Sequence, residues 1–259
     1  MTRERKWWLD SVEEQATDAE SLQRRLAQVN ARGAVPVEIA AGDHAHGDAR
    51  DGKRKGDERP ASDAPPVNQR FLKEAHHRQY GRPWGMGRYL FDFVVDSGVR
   101  REHRLLDFGC GALRLGIWVI PYLEAGNYFG VDSHLVSLEA AVTYEIPLHR
   151  LEQKRPRLLW NDDFAFSHFE QTFDVIVDVS SSSRVKEPDR LRRAFASFAA
   201  VLKPGGRLLT VPVPDVPTDE LAAMGLELVR GEVMQRCELM EGHEHSFRPY
   251  NVWNELVRK

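Results

Sequence analysis

Cysteine is almost missing from this chain: Cys110 and Cys237 are the two in 259 residues, and they lie far apart. That excludes a disulfide scaffold and leads us to expect a reducing, cytoplasmic setting. Long apolar runs are missing too, since the longest fall far short of the roughly 20 residues a membrane-crossing helix needs. No membrane association is expected. The charged start Met1-Thr2-Arg3-Glu4-Arg5-Lys6 is followed by no apolar stretch, so no secretion signal is expected either. A surplus of positive charge is also lacking: 36 Lys and Arg stand against 39 Asp and Glu, a formal net charge of -3. This argues against a nucleic-acid partner.

Aromatic residues are absent from Gly42 to Pro66, where mixed charges, glycine and proline dominate. Such a stretch buries too little apolar surface to offset its ordering entropy, so residues 34–66 are expected to be a disordered linker. His44 and His46 belong to it and read as solvated residues, not metal ligands. Ahead of it, residues 1–33 read as one helix. Ser11-Val12-Glu13-Glu14 is a capping box, Val12, Ala16, Ala19, Leu22, Leu26 and Val29 form an apolar stripe, and Gly33 is a stop. A helix this short must bury its stripe. It docks on the chain's own domain, or it serves self-association or a partner.

From residue 67 to 259, apolar runs alternate with helical patterns, as in a mostly parallel sheet with helices on both faces. Strands are expected at 105–108, 128–131, 157–160, 175–179 and 207–211, with two more near 227–237 and 252–257. Helices are expected at 86–97, 113–123, 135–149 and 189–202.

The sharpest local signal is Leu105-Leu106-Asp107-Phe108-Gly109-Cys110-Gly111-Ala112, a buried strand that ends in an acid and turns through two glycines into a helix. Glycines allow turns and close approaches closed to other residues, and the helix start offers N–H groups to a carboxylate. Asp107 can accept from an ammonium group. Carboxylate and ammonium together describe an amino-acid moiety, such as the methionine part of S-adenosylmethionine (SAM). A dinucleotide-binding oxidoreductase starts similarly, but its fingerprint wants glycine where Arg114 stands.

Further along, Tyr128-Phe129-Gly130-Val131-Asp132 closes a strand with an acid placed for ribose hydroxyls, or for capping the next helix. Asn161-Asp162-Asp163-Phe164 follows the next strand. There Asp163, or Asp162 one residue away, can meet an adenine amino group while Phe164 packs on the ring; a plain polar turn is the alternative. Phe173-Asp174-Val175-Ile176-Val177 and Leu202-Lys203-Pro204-Gly205-Gly206-Arg207-Leu208-Leu209 complete the series.

These five segments, in this order and spacing, resemble class I SAM-dependent methyltransferases over about Arg70 to Lys259. The resemblance implies a Rossmann-like, seven-stranded α/β sheet with an antiparallel last strand, and SAM across the carboxyl ends of the early strands. It implies Asp107, Gly109 and Gly111 at the methionine end, Asp132 at the ribose, and Asp163 with Phe164 at the adenine. Two positions depart from the pattern. Leu113 stands where many members carry a third glycine, and Arg184 stands where some carry a histidine.

A general base matters for a hydroxyl acceptor and less for a neutral amine. An antiparallel last strand would bring the segment before it, with Glu241, His243, Glu244 and His245, to the cofactor end, so His243 and His245 are candidates. A polar surface loop is the plainer alternative, and a metal pair would need further ligands. His76 and His77 form a second candidate group, and Tyr80 or Trp84 after them either closes over the cofactor or packs as a helix residue. Cys110 reads as a small packing residue. The expected activity is methyl transfer to a small-molecule or glycan-type acceptor; a non-catalytic partner subunit of the same fold is the alternative.

Overall fold

The computed structural model describes residues 19–39, 86–164, 166, 169, 172–211, 215–234 and 252–259. Strands β1 (Val37–Ile39), β2 (Leu105–Phe108), β3 (Tyr128–Asp132), β4 (Arg157–Trp160), β5 (Phe173–Val179), β6 (Leu202–Val211), β7 (Leu226–Met234) and β8 (Val252–Arg258) form one sheet in the order β1-β4-β3-β2-β5-β6-β8-β7. The pairs from β1 to β6 are parallel, and β8 runs antiparallel to both β6 and β7. The central strands read as near-continuous apolar runs because both of their faces are covered.

Alternation along the strands divides the core. Leu105, Tyr128, Leu158, Val175 and Val177 face one apolar layer with α1 (Ala19–Asn30), α2 (Arg88–Asp96) and α3 (Gly116–Tyr122). Leu106, Phe108, Phe129, Leu159 and Ile176 face the other, with α6 (Pro188–Val201) and α7 (Thr218–Ala223). Between them in sequence lie α4 (Leu135–Ala140), a π-helical turn over Ala141–Glu145 and α5 (Ile146–His149).

The expected seven strands are present, and an eighth is added. Residues 34–39, expected to open a linker, instead run into the sheet as β1 on the outer side of β4. The Asn30 side chain both donates to the Val37 carbonyl (3.1 Å) and accepts from its amide (2.8 Å), and Arg157 pairs with Glu38 at 2.6 Å. Three residues suffice because the partner strand supplies the pairing. In α1, Leu22, Leu26 and Val29 are buried in the domain's own core, so the described part of the stripe is used internally. Val12 and Ala16 of that stripe lie outside the described residues, as does most of the expected linker.

Two boundaries differ in an informative way. Leu202–Gly206, expected as a helix end and turn, already belongs to β6, where a register shift leaves Pro204 and Gly205 exposed. The helix expected from residue 113 begins only at Gly116, because the turn before it is longer than its glycines suggested. Among the described residues, no helix is long and apolar enough to cross a membrane.

Candidate cofactor site

At the tip of β2 the chain turns through Gly109 (φ +76°), Gly111 (φ +55°) and Leu113 (φ +62°). The amides of Gly109 and Cys110 both donate to the Val131 carbonyl, at 2.7 and 3.0 Å, so the turn stays tied to β3 beyond the strand. Leu113 takes the left-handed conformation that glycine takes readily, while its side chain is fully buried in the core. The missing third glycine is thus replaced in backbone conformation.

A side chain at Gly109 has no room: its Cβ would lie 1.7 Å from Ser181 Oγ. Ser181 belongs to the turn leaving β5, which Asp178 organises. That carboxylate, fully buried, accepts from the amides of Ser181 and Ser182 (both 3.1 Å), from the Ser182 hydroxyl and from Thr210 Oγ1 (3.2 Å). Burial nevertheless holds it above the usual carboxylate range. Arg184, singled out from the sequence, ends the short 3-10 turn Ser182–Arg184 within this loop.

Asp107 and Asp132 stand at the carboxyl ends of adjacent strands, with Asp107 paired in register to Gly130. They are not equivalent. Asp107 is 3% exposed, and the Tyr128 hydroxyl donates to it at 2.8 Å. Burial pushes its carboxyl up to about 7, against the Tyr128 hydrogen bond and the charge of Arg114; Asp132 and Asp178 push the same way as burial. Asp132 is only half-buried. One of its oxygens accepts from the Gly111 amide at 2.8 Å and the other from the His134 amide at 2.7 Å. The cap of α4 is His134, not Asp132: its Nδ1 accepts from the Ser137 amide.

The loop after β4 joins the same junction. The Asn161 amide donates to the Asp132 carbonyl at 3.2 Å. Asn161 Oδ1 accepts from the Phe164 amide at 2.8 Å, and its Nδ2 donates to Asp163 at 2.9 Å. Asp163 is thus joined through Asn161 to the backbone at the end of β3. Phe164, expected to lie against an adenine ring, is instead a core residue. It is buried beside Phe108, 5.7 Å between ring centroids, and the Arg190 guanidinium covers it at 5.4 Å. Its backbone takes a left-handed φ of +65°. Arg190 also donates to the carbonyl of Asp162.

Sequence reasoning missed Asp178, Ser181, His134 and Trp160. Trp160 closes β4 opposite Asp132, and its indole N–H donates to the Ser133 carbonyl at 3.0 Å. An acid at a strand end followed by serines was the available signal for Asp178, since such side chains hydrogen-bond nearby amides. Cys110 is buried and burial pushes its thiol well up, which suits packing and not reaction. His76, His77, Tyr80, Trp84, Glu241, His243, Glu244 and His245 lie outside the described residues. Among the described residues no group of three His, Cys, Asp or Glu is placed to hold a metal.

Residues 106–208 match the family described as a methyltransferase domain. No curated protein sequence matches the chain. Among solved structures, a SAM-dependent methyltransferase from Clostridium acetobutylicum is similar with a TM-score of 0.50 and 14% identity, over 73% of this chain and 98% of that one. A TehB-like SAM-dependent methyltransferase from Corynebacterium glutamicum shares 17% identity over 74% of this chain and 95% of its own, with a TM-score of 0.49. Magnesium protoporphyrin IX methyltransferase from Synechocystis, solved with bound SAM, shares 15% identity over 76% and 86%, with a TM-score of 0.48. At these identities the likeness is one of fold.

Proposed function

We propose, from the match of residues 106–208 to a methyltransferase domain, that this chain is a class I SAM-dependent methyltransferase that methylates a small-molecule or glycan-type acceptor in the cytoplasm. One observation carries the cofactor site. The loops leaving β2, β3 and β4 are hydrogen-bonded to one another around Asp132, at the carboxyl ends of adjacent parallel strands, where such folds bind ligands.

The residues present fit SAM. Each Asp132 oxygen carries one backbone N–H and has a second lone pair, which suits the two hydroxyls of a ribose. Asp107, whose ionisation burial opposes, gains from a cation, as the amino-acid end of SAM provides. The glycine turn between them holds the backbone close, and we assign the adenine amino group to Asp163 in the loop after β4. Bound SAM supplies a methyl group on a sulfonium, so transfer depends chiefly on positioning and on a nucleophile free of its proton.

Ser181, packed on Gly109, puts the serine turn beside the methionine end, and we assign it to the acceptor-facing wall. For a hydroxyl acceptor we assign the general base to His243 or His245. In support, their flanks Met234 and Val252 pair with each other at the carboxyl end of the sheet. The acceptor class rests on the net charge of -3, which does not favour a polyanion.

The test is to incubate the protein with methyl-tritiated SAM and separate pools of metabolites, oligosaccharides, proteins and RNA. Label is expected in a low-mass or glycan fraction, with stoichiometric S-adenosylhomocysteine. Label confined to protein or RNA would overturn the acceptor assignment.

A further inference from the structure

Arg25 lies on the buried stripe of α1, beside Leu22, Leu26 and Val29. An arginine on an apolar face needs a partner, and it has one on a distant helix. Its Nη2 meets Glu139 Oε2 at 2.7 Å, and Arg32, just past the end of α1, meets Oε1 of the same carboxylate. Glu139 is 1% exposed, so both of its oxygens are held by cations from the N-terminal segment.

Glu139 sits in α4, whose cap His134 is two residues after Asp132. The same N-terminal segment reaches the other side of that turn. Ile39 of β1 pairs in register with Trp160, and Trp160 pairs with Asp132 while its indole holds the Ser133 carbonyl. The Ala34 amide also donates to the Val142 carbonyl at 2.9 Å, in the π-helical turn that continues α4. Helix α4 and strand β4, the two elements that flank the Asp132–His134 turn, are thus both fastened to residues 19–39.

Building on the cofactor reading above, we propose that residues 19–39 brace the nucleoside half of the site, with Arg25 and Arg32 as positioning residues that act on Asp132 through Glu139 and α4. The hydroxyl-binding geometry of Asp132 depends on where its amide partners His134 and Gly111 stand. His134 is the start of α4, and the clamp on Glu139 fixes that helix along its axis and against β4. A short helix interrupted by a π-helical turn has little rigidity of its own, so the clamp supplies it. Small displacements of supporting residues are enough to weaken a bound geometry.

The experiment uses the full chain and two probes, S-adenosylhomocysteine and 5′-methylthioadenosine, which share the nucleoside and differ in the amino-acid tail. Calorimetry is run at a temperature where circular dichroism shows parent and variants equally folded. Arg25→Met with Arg32→Met should weaken both probes by about the same factor, about tenfold. Arg32→Ala alone, at a more exposed position, should give a smaller change in the same direction. Arg25→Lys with Arg32→Lys should recover much of the loss. A merely structural clamp would lower the melting temperature and leave both dissociation constants unchanged, and that result overturns the proposal. Loss of S-adenosylhomocysteine binding alone also overturns it, because the effect would then lie at the tail. Failure of the parent protein to bind either probe would instead defeat the cofactor reading on which the brace rests.

Discussion

Replacing Asp107 by asparagine removes a charge from a place where burial opposes it. In the folded protein the Asp107 carboxyl is raised from its ordinary 3.8 to about 7, so the native state keeps a proton that the unfolded chain releases. Stability therefore falls as pH rises from 3.8 through 7 and is level above it. At about 1.4 kcal/mol per pH unit, the aspartate costs the cofactor-free fold about 4 kcal/mol above pH 7, and about 2 kcal/mol near pH 5.5. Asparagine is isosteric, and its carbonyl oxygen can still accept from Tyr128 (2.8 Å in the parent). Whatever fixed cost its amide brings does not vary with pH, so the slope is the diagnostic. Urea unfolding of parent and Asp107→Asn at pH 5.5 and 8.5, without cofactor, should show the variant's relative stability rising by about 2 kcal/mol between the two. Saturating SAM should shrink that rise, because a cation near Asp107 stabilises the ionised form. An equal stability gap at both pH values would refute the burial argument. Asp107→Asn should also bind SAM more weakly, a case of stability exchanged for function.

Further substitutions test the turn and the core. Gly109→Ala places a Cβ 1.7 Å from Ser181 Oγ at a φ of +76° and should lower stability by about 3 kcal/mol, measured by urea unfolding; adding Ser181→Gly should restore part of it. Leu113→Gly relieves a left-handed leucine worth about 1–2 kcal/mol but empties a fully buried site worth about 3–5 kcal/mol, so a net loss of about 2 kcal/mol is expected, and a gain would contradict the packing. Trp253, fully buried and stacked on Phe93 at 4.0 Å, has an indole N–H with no acceptor among the described residues. Trp253→Phe removes that donor along with some volume and should change the melting temperature little, within about 1 kcal/mol, whereas Trp253→Ala should cost about 3–5 kcal/mol.

The central strands were legible because apolar runs bounded by Gly-rich and Pro-rich turns are local signals, and so were the acids that close β2 and β3. What escaped the sequence depends on distant partners. Val37-Glu38-Ile39 is too short to announce a strand, and its pairing with Leu158 and Trp160 crosses about 120 residues. Phe164 follows a polar turn in sequence, but its amide donates to the Asn161 side chain and its ring packs in the core beside Phe108. Asp178 sat in a run of serines that looks like solvent-facing loop, yet those hydroxyls and amides are what allow it to be buried. Leu113 violates a propensity rule locally, and the core repays it with burial.

The central claim is that Asp132 and the turn tied to it hold the ribose of SAM. Calorimetric titration of S-adenosylhomocysteine into the parent and into Asp132→Ala tests it most directly. The account predicts saturable binding at one site per chain in the parent and a loss of at least about 30-fold in the variant, the equivalent of about 2 kcal/mol from removing a charged hydrogen-bonding partner. Equal affinity in the two proteins, both folded, would contradict it.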